Sequence, residues 1–266
     1  MNAKITAMLC LSLGALASLP AQTLFSDSLA TDAGNWIASP AAMGGGGTAF
    51  TASGLGYSVG TPTADDTGYR MLNTFAAPST SSWSVQVDMH LAALGGLTTG
   101  QYANLNLMVV KVSNPNLYNT SFALDRYHSG TAVVRDVDTY VVTAGSSSHL
   151  AEVLEASTDA TLRVSYDAAT SQLTYAYAPP AALGGPTFIT AHTADISAWS
   201  MGGAETFGFL LVGGSGTMSA GTGPSLDPTE AYFQNFAVTA VPEPSAYALL
   251  AGGLALAGAA LRRRRL

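Results

Sequence analysis

An all-β fold, a two-layer antiparallel sandwich of jelly-roll type, is what the 266-residue sequence predicts. Three observations carry that expectation. Apolar and polar residues alternate with a period of two through several segments. Gly-, Pro- and Ser-rich stretches separate those segments at short intervals. Outside the two termini no long segment shows a 3.6-residue apolar period, and many short strands with such connections build two packed layers.

Taken in chain order, the first element is a leader. "MNAKITAMLCLSLGALASLPAQ" sets Lys4 before an apolar stretch and small residues at Ala17 and Ala21, the layout of a secretory signal peptide, here expected as a helix over residues 1–21. Cleavage after Ala21 leaves Gln22 as the new N-terminus; cleavage after Ala17 is the alternative. Cys10 lies too early for a lipoprotein anchor and is discarded with the leader, so the exported body uses no disulfides.

Residues 22–240 are the expected sandwich, a size that one all-β domain fills. "WSVQVDMHL" is the firmest strand: Trp83, Val85, Val87, Met89 and Leu91 face one way, and Ser84, Gln86, Asp88 and His90 the other. "TLRVSYDAATSQLTYAYA" reads as a hairpin, with Leu162, Val164 and Tyr166 leading into a turn at Asp167 to Ser171 and Leu173, Tyr175 and Tyr177 leading out. "ANLNLMVVKVS", "SFALDRYH", "TAVVRDVDTYVV", "TFGFLLVGG" and "AYFQNFAVTA" supply further strands. "SHLAEVLEAS" is the nearest approach to a helix. "AAMGGGGTA", "APPAALGGP" and "GGSGTMSAGTGPSLDP" are expected as loops.

The final element, residues 241–266, joins Pro242, Glu243 and Pro244 to seventeen uncharged residues (245–261) and then to Arg262, Arg263, Arg264 and Arg265. At 1.5 Å per residue a helix over 245–261 reaches roughly 25 Å, enough for a thin bilayer. Four arginines beyond a transmembrane helix hold that end in the cytoplasm and put the body across the membrane. The order of parts resembles the PEP-CTERM sorting domain of Gram-negative bacteria that make exopolysaccharide. That resemblance implies that an exosortase, a membrane-embedded cysteine peptidase, cuts near Pro242, Glu243 and Pro244 after export. It implies a transient membrane anchor with a cytoplasmic C-terminus, and then a surface or extracellular location. The alternative is a plain linker between domain and anchor.

The body carries a second resemblance. "LFSDSLA" followed by Trp36, the central hairpin, "FGFLLVGGSG" and the closing "AYFQNFAVT" are similar to laminin-G and concanavalin A-like jelly-roll domains. What this implies is the fold and a bias toward carbohydrate or protein ligands; function has to be argued from a site.

Between the termini, sixteen acidic residues stand against five basic ones (Arg70, Lys111, Arg126, Arg135 and Arg163), a net charge of −11. Such a body disfavours nucleic acid, which requires a basic patch. No catalytic constellation emerges. Glu152 and Glu155 are three residues apart, on opposite faces of a strand, and read as solvated acids beside a turn. Asp136 and Asp138 share one strand face and offer either a divalent-ion pair or edge charges against aggregation. His90, on a polar strand face, and His128, His149 and His192, near loops or isolated, have no zinc spacing. No Gly-x-Ser-x-Gly elbow is present, and the "GGGG" run ending at Gly47 follows no β-α unit.

The concanavalin A resemblance implies a structural calcium ion joining the first and last strands, with Asp27 and Asn235 as its candidate ligands; the alternative is that both cap turns. Tyr118, Tyr127, Tyr140 and Trp199 are candidates for stacking on sugar rings. The sequence therefore leads to an exported, non-catalytic sandwich of the envelope or of an extracellular polysaccharide matrix. A carbohydrate-binding module is the alternative, and a glycosidase or polysaccharide lyase a distant one.

Overall fold

The computed structural model describes residues 21–38, 46–62, 67–180, 187–218 and 221–241. The leader up to residue 20 lies outside them, as do the sorting segment from Pro242 to Arg265 and the anchor expected at 245–261. Among these residues sixteen strands run in chain order: β1 (Thr23–Asp27), β2 (Trp36–Ala38), β3 (Gly47–Thr51), β4 (Gly54–Ser58), β5 (Thr67–Asn73), β6 (Ala77–Pro78), β7 (Trp83–Leu91) and β8 (Gln101–Lys111). They continue as β9 (Tyr118–His128), β10 (Val133–Thr143), β11 (Ser146–Leu154), β12 (Asp159–Asp167), β13 (Gln172–Ala178), β14 (Ile189–Asp195), β15 (Thr206–Thr217) and β16 (Ala231–Ala240). They form two antiparallel sheets. One has the order β14-β13-β12-β7-β16-β4-β3 with β1 beside β16, and the other β11-β10-β9-β8-β15-β5-β2 with β6 beside β15. We call them the first and second sheets.

The alternation in β7 is complete: every odd position from Trp83 to Leu91 is buried and every even one half-buried. Val85 and Val87 are fully buried, and Gln86 and Asp88 lie on the opposite face. In the β12–β13 hairpin Leu162, Val164, Tyr166, Leu173, Tyr175 and Tyr177 all enter the core as the period requires, and the four-residue turn closes with Ser171 at φ 53°. Between the sheets an aromatic spine fills the wide middle of the sandwich. Trp83 meets Phe207 at 5.0 Å and Phe209 at 5.3 Å between ring centroids, Phe209 meets Phe236 at 6.0 Å, and Trp36 meets Phe236 edge-on at 5.0 Å. Edge-to-face contacts of this kind add to the burial of large apolar area.

Two segments depart from the sequence expectation. "SHLAEVLEAS" is mostly strand β11, because six of its residues pair with β10 in an antiparallel ladder; tertiary pairing outweighs the local helix propensity of Leu, Ala and Glu. The "GGSG" run expected as loop is the second half of β15, buried on the sheet between β8 and β5. Its glycines are there for close approach: a Cβ on Gly213 would overlap the ring of Tyr57, itself fully buried from the opposite sheet. Gly213→Ala is accordingly expected to destabilise the protein by about 1–3 kcal/mol through overpacking, read as a lower midpoint in thermal or urea unfolding.

Candidate functional sites on the two sheet faces

The outward face of the second sheet, over β8 to β11, gathers most of the polar chemistry. Antiparallel register sets Asp136 opposite Asp125 on β9 and Asp138 opposite Glu152 on β11. Asn104 on β8 is opposite Asp125, and Tyr102 opposite Tyr127. Because successive residues of a strand alternate in face, Asp125, Tyr127, Asp136, Asp138 and Tyr140 all point away from the core while Leu124, Arg126 and Val137 point into it.

These groups are held by one another. Tyr127 Oη donates to Glu152 Oε1 at 3.3 Å, His149 Nε2 meets Asp138 Oδ1 at 2.6 Å, and the Tyr140 ring stacks on His149 at 4.8 Å. Ser121 Oγ donates to Asn106 Oδ1 at 2.6 Å, and Asn106 Nδ2 to Asn104 Oδ1 at 3.0 Å. By register, the Tyr127–Glu152 bridge passes above Asp136, which is only 1% exposed and whose Oδ1 has no hydrogen-bond partner.

Crowded acids with little counter-charge resist ionisation. Burial, and then the Asp138 charge, push the Asp125 carboxyl up to about 7 against a lowering hydrogen bond from Asn104. Burial, then Asp125 and Glu152, raise Asp136 as well. Burial and then Glu152 push Tyr127 up to about 12, and burial and then Asp138 do the same to Tyr140. The ordinary Asp125 value is 3.8, so between pH 4 and pH 7 the unfolded chain has lost a proton that the folded one keeps. Stability from this group is therefore full below about pH 4 and lost as pH rises through 7, on the order of 2–4 kcal/mol. Asp125→Asn, which cannot ionise, is expected to flatten the fall of the melting temperature between pH 4 and pH 8.

This arrangement corrects three expectations. Asp136 and Asp138 are not edge charges, since β10 is covered on one side by β9 and on the other by β11. Glu152 is within β11 and part of the acidic face, while Glu155 lies past the strand and accepts the Ser157 amide at 2.8 Å. His149 likewise belongs to β11. Of the four aromatic candidates, Tyr127 and Tyr140 face outward, Tyr118 is half-buried against the core, and Trp199 is fully buried with its indole N–H donated to Thr143 at 3.1 Å.

The outward face of the first sheet holds a cleft of about 300 Å³ lined by Asp88, His90, Asp159, Thr161, Tyr232 and Gln234 among others. Its polar groups are paired internally: His90 Nδ1 with Asp159 at 2.7 Å, His90 stacked on Tyr232 at 4.6 Å, and Asp88 accepting from Thr161 at 2.5 Å and from Asn235 at 2.8 Å. Burial works to raise Asp159, but hydrogen bonds from His90 and Thr158 outweigh it and hold the carboxyl below its usual range.

Asp27 and Asn235 do lie on adjoining strands, β1 and β16, yet their side chains do not converge. Asp27 pairs with the core residue Phe236, and its oxygens accept from the Leu29 amide at 2.8 Å, Asn35 at 3.0 Å and the Trp36 indole at 3.2 Å. Asn235, at φ 51° in the bulge of β16, turns to Asp88 on the outer face instead. The residues present do not fit a shared calcium ion. Among the described residues no group of three or more His, Cys, Asp or Glu is arranged to hold a metal.

Solved structures with the same arrangement of strands define the class. Lectin II from Ulex europaeus superposes with a TM-score of 0.51 at 12% identity over 83% of this chain and 100% of that one. An endo-1,3-beta-glucanase from Streptomyces sioyaensis gives 0.51 at 13% identity over 85% and 100%, and a GH43 protein from Bacillus licheniformis 0.53 at 11% over 81% and 39%. The body is thus a concanavalin A-like jelly-roll sandwich, a likeness at these identities that concerns fold alone. The particular mark of this chain is its tail: residues 240–265 match the PEP-CTERM protein-sorting motif, which indicates export, a membrane-anchored C-terminal sorting tail and then the cell surface. No curated protein sequence matches the chain.

Proposed function

We propose that the protein is a non-catalytic, exosortase-processed sandwich of the cell envelope or extracellular polysaccharide matrix that binds glycan on the outward face of its second sheet. The observation that carries the reading is the fixed polar array of that face, in which tyrosines flank carboxyls and amides already oriented by one another. Sugars are bound in this way, with a ring face against an aromatic side chain and hydroxyls to immobilised acceptors. Such an array costs little further ordering when a ligand arrives.

Hydrolysis is the less favoured reading. A glycosidase divides its two carboxyls into one protonated acid and one ionised nucleophile or base. Here the facing pair, Asp125 and Asp136, is pushed up on both sides. The test is retention on a panel of immobilised polysaccharides alongside reducing-sugar release from the same panel. Binding without release is expected, and Tyr127→Ala together with Tyr140→Ala is expected to weaken it about tenfold or more, roughly 1.4 kcal/mol. Sugar release abolished by Asp136→Asn would overturn the non-catalytic reading.

A further inference from the structure

We propose that the acidic face selects glycans bearing free amino groups, such as hexosamine polymers lacking their N-acetyl groups, a refinement that rests on the glycan-binding reading. Four carboxyls, Asp125, Asp136, Asp138 and Glu152, meet on adjacent strands. Among the described residues His149 is the basic side chain hydrogen-bonded to them, and it serves Asp138 alone. The other groups turned toward them are the phenols of Tyr127 and Tyr140 and, from β8, the neutral amide of Asn104. Arg126 and Arg135, opposite each other on β9 and β10, point to the other side of the sheet; Arg126 is fully buried and donates to the Asp125 and Ser157 carbonyls.

The geometry lacks a cation, and the missing partner is marked. Asp136 is 1% exposed and by register lies below the Tyr127–Glu152 bridge; its carboxyl hydrogen-bonds that of Glu152, while its Oδ1 is without a hydrogen bond. A neutral sugar leaves that acceptor and the mutual repulsion as they are; a uronic acid adds to the repulsion. An ammonium seated beside exposed Glu152, above the buried Asp138 and Asp136, supplies charge-assisted donors and a positive charge. It thereby favours the ionised carboxyls, so binding is accompanied by proton release. The adjoining Tyr127 and Tyr140 give the sugar ring, which a peptide amine lacks, a surface to lie on.

Titration calorimetry of the exported body near pH 6.5, with equal-length oligomers of glucosamine, N-acetylglucosamine and glucose in buffers of different ionisation enthalpy, tests this. The glucosamine oligomer is expected to bind at least about tenfold more tightly than the other two and to release protons. Glu152→Gln is expected to remove that preference, while Asp227→Asn, an equal loss of charge on a remote exposed turn, is expected to keep it. Equal affinity for the acetylated oligomer would sink the amine preference and leave glycan binding standing. No affinity for any of a broad panel of glycans would sink both. A poly-lysine peptide binding as well as the glucosamine oligomer, or Asp227→Asn losing as much as Glu152→Gln, would reduce the effect to bulk charge and overturn the proposal.

Discussion

Val87→Asp is expected to abolish or nearly abolish folding of the body. Val87 is fully exposed to the core and not at all to solvent, on a central strand paired with Leu162 of β12 and flanked by β16. An aspartate there is set within the hydrophobic core, so the carboxylate either stays charged without a partner or takes up a proton at neutral pH. Either way the cost is about 3–5 kcal/mol, a large share of the 5–15 kcal/mol typical of a whole domain. Without disulfides the body has no covalent reserve. The measurement is circular dichroism with urea titration of the purified body. The companion Gln86→Asp, one residue along on the outward face, is expected to melt within about 1 kcal/mol of the parent; equal behaviour of the two variants would mean the register is wrong.

Replacing Pro242, Glu243 and Pro244 together by alanine is expected to leave export intact and to stop processing, so that full-length precursor accumulates in the membrane of a host carrying the peptidase. Two prolines fix φ and withhold two backbone donors, a restriction that three alanines would remove. Deleting Arg262 to Arg265 acts on a different step: charges that resist translocation are lost, and the tail passes through or misorients. Tags after Gln22 and at the C-terminus, followed by immunoblots of membrane and extracellular fractions, separate the outcomes. Equal processing of parent and triple variant would make the motif a linker and the tail a permanent anchor.

How much of this was legible beforehand varies with the physics of each element. β7, β8, β9, β12, β13 and β16 are readable because one face meets the core more than the other, so a period of two is imprinted on much of their length, whereas β15 is buried on both faces and only its apolar first half was readable. The hairpin β3–β4, with "GTAFT" and "GLGYS", carries no such imprint; its glycines and half-buried edge blur the alternation. β11 was hidden because its pairing with β10 is specified by the partner strand and not by its own residues. The acidic face was half visible: Asp136 and Asp138 share a face by simple counting, but Asp125 and Glu152 join them only through the registers of two further ladders. Hydrophobic spacing could not report those registers, and the like charges that make the face notable resemble ordinary solvated residues in a linear string. Conversely, Asp27 and Asn235 were correctly expected on neighbouring strands. Their side chains part because the bulge in β16 turns Asn235 to the outer face.

That same β16 constrains when the molecule can exist as a folded body. It is the last strand before the sorting tail, yet it sits inside the first sheet, with β7 along one side and β1 and β4 along the other. Its ladder to β7 joins Ala231 to Leu91, partners 140 residues apart in the chain. If the earlier strands emerge first during secretion, they wait with their central slot vacant; the core lacks Phe233, and its aromatic spine Phe236, until the final segment arrives. Contacts of such long sequence separation form late and slowly. Completion of the sandwich thus waits on the segment next to the membrane-anchored sorting tail, so the tail holds the body at the bilayer during the interval in which its unpaired edges are most prone to associate with another chain.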